Sequence, residues 1–191
     1  MNAAPERKRS EAASTLTADD WVEAAMDALA EGGIDAVRVD PLAKRLGVTR
    51  GSFYWHFKDR SALHQAMLRK WREGASYNLA PRIERESVTP GERLKRLLAL
   101  PHSGPRAARG AAIEVAIRLW ARRDRGAAKV VRHIDRVRID YFESLFAQHG
   151  LPKAKARQRA YVFYATLMAE ALIVVDDNEP ALVDLDGFLL E

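Results

Sequence analysis

The chain contains no cysteine. That absence removes disulfides, thiolate nucleophiles and cysteine-held zinc, and it points to the cytoplasm as the compartment. Long apolar runs are also missing. The longest, AYVFYATLMAEALIVV over Ala160–Val175, has sixteen residues with Glu170 inside it, short of the roughly twenty that a membrane span needs, so no membrane contact is expected. Nowhere do apolar and polar residues alternate over a useful length, so the expected fold is all-α. Enzyme signatures are scarce. There is no H-E-x-x-H and no glycine-rich phosphate loop, and the five histidines (His56, His64, His102, His133, His149) include no i,i+4 pair. No catalytic residue, metal or cofactor is expected. Asp176 and Asp177 stand beside Asn178 and Pro180 and read as part of a loop. A metal-independent helical enzyme needs none of these motifs and stands as the alternative class.

What is present centres on Val48–Leu63, VTRGSFYWHFKDRSAL. Upstream, Asp40 reads as a cap and Pro41 as the first residue of a short helix through Leu46, which Gly47 closes. Thr49 then caps a second helix, with Ser52 three residues on. Two short helices joined by a tight glycine turn form a helix-turn-helix, whose second helix lies in the major groove. Phe53 and Phe57, four apart, face the core with Leu46 and Val48. Five consecutive rings, Phe53 to Phe57, cannot all face inward, because only a stripe of about 100° of a helix does. The outer face is left with Arg50, Gly51, Ser52, Tyr54, Trp55 and His56. Arg50 near the helix start suits the O6 and N7 acceptors of guanine. Tyr54, His56 and Lys58 suit phosphate oxygens, Trp55 suits a thymine methyl or a sugar, and Gly51 lets the backbone come close.

Residues Thr17 to Trp71 resemble the DNA-binding domain of the tetracycline-repressor-like (TetR) family of bacterial transcription regulators. The resemblance rests on WVEAAMDALAEGGIDAV, LAKRLGVT and above all FYWHFKDRSAL. It implies a helical homodimer that binds a palindromic operator in double-stranded DNA until an unidentified small-molecule effector binds its C-terminal domain. Carried over by position, Thr49, Arg50, Ser52, Tyr54, Trp55, His56 and Arg60 fall where family members contact DNA. A lysine is usual where Arg60 stands; the charge persists and the hydrogen-bond geometry differs. In the resembling family the last two long helices form the dimer interface. This implies contacts from Tyr161, Tyr164, Met168, Leu172 and Val175, and from Leu182, Leu185 and Leu189 in the segment Pro180–Leu190.

Charge distribution agrees with this reading. Asp19–Val37 holds six acids and no Lys or Arg, whereas Arg38–Arg60 holds six bases against two acids, so positive potential begins where the helix-turn-helix begins. The net charge of +5 is small for a non-specific nucleoid-type protein, which would need a broad basic surface. Residues 1–14 are polar, with Arg7, Lys8 and Arg9, and read as a disordered basic arm that either enters a minor groove or stays solvated. No apolar stretch follows the basic cluster, so a secretion signal is not expected.

The expected organisation is therefore this arm, a helix-turn-helix domain over 15–61, and a C-terminal ligand-binding and dimerisation domain over 62–191. A connector helix from Asp59 joins the two domains, with Leu63, Ala66, Met67 and Trp71 on one face. Thr89, Pro90 and Glu92 form a capping box ahead of Leu94, Leu97 and Leu98. HSGPRAARG from His102 reads as a loop or a weak helix start. Helical spacing resumes at Ile113, Ala116, Ile117, Trp120 and Ala121. It returns at Val130, Ile134, Val137, Tyr141 and Leu145. Candidate pocket residues are Trp71, Tyr77, Trp120, Phe142, Phe146, Tyr164 and Met168, with His102, Glu114 or His133 as polar handles. The basic run Arg118, Arg122, Arg123, Arg125, Lys129, Arg132, Arg136 and Arg138 reads as a solvated face, with Asp135 and Asp140 as local partners of Arg138 and Arg136.

Overall fold

A computed structural model describes residues 16–77, 89–99, 104–169 and 172. The described residues form eight α-helices and one 3-10 turn, with no strand among them. In chain order they are α1 (Ala18–Gly32), the 3-10 turn (Ile34–Ala36), α2 (Val39–Leu46), α3 (Arg50–His56), α4 (Arg60–Tyr77), α5 (Pro90–Leu98), α6 (Pro105–Ala121), α7 (Arg125–Gln148) and α8 (Lys153–Ala169).

Caps explain most of the boundaries. Thr17 and Asp20 close a reciprocal capping box on α1, and Thr89 and Glu92 do so on α5, with Pro90 in its first turn. Asp124 caps α7 by accepting from the Ala127 N–H at 2.7 Å, so the break expected at Asp124–Gly126 is a capped helix start. One expectation needs correction and two are resolved. Helix α2 begins two residues earlier than Asp40 suggests: Arg38 is the cap residue and Asp40 and Pro41 lie in the first turn. There the missing proline N–H costs nothing, because first-turn amides have no helical acceptor. The HSGPRAARG stretch is a helix from Pro105 onward, entered through Gly104 at φ 93. Of the apolar run Ala160–Val175, the described part through Ala169 belongs to α8, which starts seven residues earlier, at Lys153.

Two apolar clusters hold the chain together. The first gathers Trp21, Leu29, Leu42, Phe53, Leu63, Met67 and Trp71 from α1–α4 and continues without interruption into Ile113, Ile117 and Trp120 of α6 and Val131 and Ile134 of α7. The second packs Leu94, Leu97 and Leu98 of α5 against Phe142, Leu145 and Phe146 of α7 and Phe163 and Tyr164 of α8. On α7 the inward face is therefore Ala127, Val131, Ile134, Phe142 and Leu145. Val137, expected on it, is exposed, and Arg138 lies inside, with only 14% of its side chain accessible.

The acids of α1 and the following turn bind the first cluster to its surroundings from outside. Lys70 of α4 holds Asp19 and Glu23, Arg109 of α6 holds Glu23 and Asp27, Arg45 pairs with Glu31, and Arg123 pairs with Asp35. With Asp20 used in the cap, all six acids of Asp19–Val37 are engaged. Each exposed pair contributes little alone, but together they set the angle of α1 against α4 and α6.

Candidate nucleic-acid interface

The turn between α2 and α3 is built as the sequence suggests. Gly47 sits at φ 71, ψ 25, the left-handed region, and its N–H reaches the carbonyls of Ala43 and Lys44. The Val48 N–H bonds Ala43 O at 3.0 Å. This closes the α2 carbonyls in the manner of a left-handed helix end and turns the chain directly into α3. Phe53 is fully buried, edge-on to Trp21 of α1 at 5.3 Å and stacked on Phe57 at 5.5 Å. Phe57 lies just past the helix in extended backbone, its N–H donating to Phe53 O, so the ring run divides between the end of α3 and its exit.

With the phenylalanines anchored, the opposite face stands in solvent. Trp55 is 78% exposed and Tyr54 50%. Arg50 spans this face: its guanidinium reaches the Tyr54 hydroxyl at 3.4 Å and Asp40 at 3.7 Å. The Tyr54 hydrogen bond and the Asp40 charge raise its pKa and hold it charged. Thr49, Gly51 and Lys58 are exposed and His56 is half-buried. A Cβ at Gly51 would meet only the Thr49 hydroxyl at 3.6 Å, so nothing inside the fold demands glycine there.

Two expected contact residues stand differently. Ser52 is 3% exposed and its hydroxyl has no partner among the described atoms. It belongs to the packed face of α3, and Thr49, expected to cap the helix, makes no side-chain cap bond. Arg60 donates to the Ile34 carbonyl at 2.9 Å, tying the start of α4 to the 3-10 turn. Arms of the 1–14 segment lie outside the described residues.

Of the pocket candidates, Trp71, Glu114 and Tyr164 are brought together at the seam between the two apolar clusters. Glu114, 8% exposed, accepts from the Trp71 indole at 3.2 Å, from Arg118 at 2.9 Å and from Arg138 at 3.1 Å. Arg118 also donates to Asp135 and to the Tyr164 hydroxyl, at 2.7 and 2.6 Å. The Tyr164 hydroxyl donates to Asp135 at 2.7 Å. Two cations meet two carboxylates across α4, α6, α7 and α8. Burial would lower the Arg118 pKa, but the Asp135 hydrogen bond and the Glu114 charge outweigh it and keep the group protonated. For Tyr164 burial dominates over the nearby Arg138 and Arg118 charges, and its hydroxyl is pushed up to about 12.

This seam corrects the reading of the basic run. Arg118 and Arg138 are not on a solvated face, and Asp135 and Asp140 serve other helices: Asp135 holds Arg118 and Asp140 holds Arg157. Sequence reasoning missed Arg118, Asp135 and Arg138 because charge pairs across helices have no fixed spacing; the i,i+4 pair Glu114 and Arg118 was the one available signal. The remaining candidates scatter. Trp120 is core, edge-on to His64 at 5.1 Å. Phe142 and Phe146 pack on Phe163, His133 is exposed and Met168 half-buried. Tyr77 ends α4. His102 lies outside the described residues.

Among the expected dimer contacts, Tyr161 and Leu172 are 65% and 64% exposed. Tyr164 is buried in the seam, its hydroxyl engaged by both arginines and Asp135. Val175, Leu182, Leu185 and Leu189 lie outside the described residues.

Comparison with known proteins bears on this geometry. Residues 22–67 match the family described as bacterial regulatory proteins, tetR family. Over 46 residues the chain is 44% identical to tetracycline repressor protein class A from transposon 1721 of Escherichia coli, covering 24% of this chain and 21% of that protein. Over 73 residues it is 32% identical to the HTH-type transcriptional regulator AcrR of Shigella flexneri, covering 38% of this chain and 33% of that protein. The matches to these curated relatives thus span a third of their length or less. A transcriptional regulator from Rhodococcus sp. Rha1 shares the fold over 82% of each chain, with a TM-score of 0.67 and 22% identity. No described helix is long and apolar enough to cross a membrane.

Proposed function

We propose that this chain, which carries the DNA-binding domain of the tetR family, is a cytoplasmic transcriptional repressor that binds a palindromic operator as a homodimer and lets go when a small molecule binds its C-terminal helices. The observation that carries the reading is the divided character of α3: Phe53 locked on Trp21 beneath, and Arg50, Tyr54 and Trp55 exposed above. A two-fold dimer sets two such helices one duplex turn apart, about 34 Å. Arg50 reads a base edge, and Tyr54, His56 and Lys58 set the register on phosphates. Thr49 and Trp55 border the same face. Tyr161, Met168 and Leu172 contribute to the dimer contact.

Release requires an effector that prefers one of two arrangements, since equal affinity for both shifts nothing. Helix α4 is the covalent route from the reading helices to the C-terminal helices. Its Trp71 is hydrogen-bonded to Glu114 in the seam, so a ligand that rearranges Glu114, Arg118 or Arg138 moves the helix on which the reading domain is mounted. An effector that leaves operator affinity unchanged refutes this route.

Binding to selected palindromic and to random duplexes at two salt concentrations tests the main claim. A specificity ratio of about 10³ or more is expected, whereas a nucleoid-type protein gives nearly none. Arg50→Ala is expected to cost roughly 1–3 kcal/mol at one base pair of each half-site, while Tyr54→Phe weakens all sequences alike. Equal loss on every sequence for Arg50→Ala reverses the assigned roles.

A further inference from the structure

The outer face of α7 carries four cations, Arg125, Lys129, Arg132 and Arg136, spaced 4, 3 and 4 so that they form one stripe. All four are exposed, and none has a hydrogen bond or ion pair among the described residues. Other arginines of this region are matched: Arg118, Arg138 and Arg157 each hold a carboxylate. The first turn of α7 contains no acid, so the stripe adds to the positive end of the helix dipole where an anion belongs. The same line continues, four residues on, to Asp140 and then Glu143, and these two are paired: both hold Arg157 of α8. One half of the line is therefore acidic and met by a base from α8, and the other half is basic and open.

The helix register indicates what meets the basic half. Helices α7 and α8 run antiparallel. Arg157 touches Glu143 and Asp140, Phe163 touches Phe146 and Phe142, and Tyr164 reaches back to Arg138 and Asp135. Continued to Ala169, this progression brings the end of α8 beside the turn containing Lys129 and Arg132. The chain that follows, residues 173–191, lies outside the described residues and holds six acids (Asp176, Asp177, Glu179, Asp184, Asp186, Glu191) and no Lys or Arg. Helix α8 itself opens with Lys153, Lys155, Arg157 and Arg159. Polarity along α8 and its continuation is thus basic then acidic, and along α7 basic then acidic in the opposite direction, so the two lines complement each other.

We infer that the acidic segment after α8 docks along the stripe of α7 in the same chain, with Asp176, Asp177 and Glu179 against Arg125, Lys129 and Arg132. The reach suffices: the stripe is about 16 Å long at helical rise, and seven residues from Ala169 to Asp176 span up to roughly 23 Å. Docking fixes the start of α7, next to Asp124 and the Arg123–Asp35 pair, and so braces the end of the C-terminal helices that faces the reading domain.

Zero-length carbodiimide cross-linking of the full chain, with peptides mapped by mass spectrometry, tests this directly. The expected product joins Lys129 to Asp176, Asp177 or Glu179. Lys70, 2.5 Å from Asp19 and 2.6 Å from Glu23, supplies the internal control. A Lys70 product with no Lys129 product overturns the inference. In an equal mixture of heavy- and light-isotope chains, a Lys129 product joining heavy to light assigns the stripe to a second copy's segment and also overturns it. Charge reversal adds a second readout. R125E/K129E/R132E and D176K/D177K/E179K should each lower Tm, and the sextuple variant should recover most of the loss. If the R125E/K129E/R132E chain keeps its Tm but loses affinity for random duplex, the stripe serves nucleic acid and the inference fails.

Discussion

Helix α3 and the seam between α6, α7 and α8 invert the usual partition in opposite directions. On α3 large rings stand in water, and at the seam charges stand out of it. The exposed rings of Tyr54 and Trp55 are carried by a helix whose other side is fixed by Phe53, so their exposure costs no packing and leaves a rigid apolar and cationic surface for a partner. At the seam every charge is answered inside the molecule, so the same residue classes that read as binding chemistry serve instead to lock helices together. Exposure without internal need marks a contact surface, and burial with full internal satisfaction marks an architectural joint.

The largest effect should come from splitting α3 along its own axis. Phe53→Ala removes a fully buried ring from the first cluster and is expected to cost about 3–5 kcal/mol of stability. Trp55→Ala, two residues on, should stay within about 0.5 kcal/mol and still weaken duplex binding. Denaturant titration beside a binding isotherm checks both, and a Trp55→Ala chain as unstable as Phe53→Ala would erase the distinction between the two faces.

Next in size is the seam. Glu114→Gln leaves Arg118 with Asp135 alone and removes the carboxylate that Arg138 holds, and breaking a buried pair in this way costs about 3 kcal/mol, a fall in Tm of roughly 6–12 °C for a chain of this length. A loss under about 1 kcal/mol, the range of surface pairs, would show that the seam behaves as solvated surface.

The smallest effect is a pH dependence. Tyr164 has its folded pKa raised from 10.0 to about 12, so the folded state holds this proton more tightly than the unfolded one. Its contribution is complete below pH 10 and is lost as pH rises from there through about 12. Tm measured between pH 9 and 12 should therefore fall more steeply for the wild type than for Tyr164→Phe. Parallel curves would mean that the hydroxyl is not enclosed as described.

How much of this was legible beforehand follows from the range of the interactions. Thr89, Pro90 and Glu92 announce the start of α5, Gly47 announces the turn, and Phe53 declares its face, because caps, turns and helical periodicity act over four residues or fewer. Ser52 misleads for a reason of rotation: residue type and family position put it on the outer face, and its angle on α3 puts it inside. Val137 misleads similarly, since a helix of 24 residues packed on several neighbours changes which face is covered along its length. For the candidate site, Arg50, Tyr54 and Trp55 could be picked from local pattern, whereas Arg118, Asp135 and Arg138 could not.

The sequence by itself determined an all-α chain, the glycine-closed turn and the two-faced reading helix, all consequences of contacts between residues near one another along the chain. Only the tertiary structure decided that one core runs unbroken from α1 into α6, that the acids of α1 are met by Arg45, Lys70 and Arg109, and that Arg118 and Arg138 are joints while Arg125, Lys129 and Arg132 have no partner among the described residues. Coulomb attraction between side chains depends on distance in space and local solvent, and those quantities exist only once the helices have been packed.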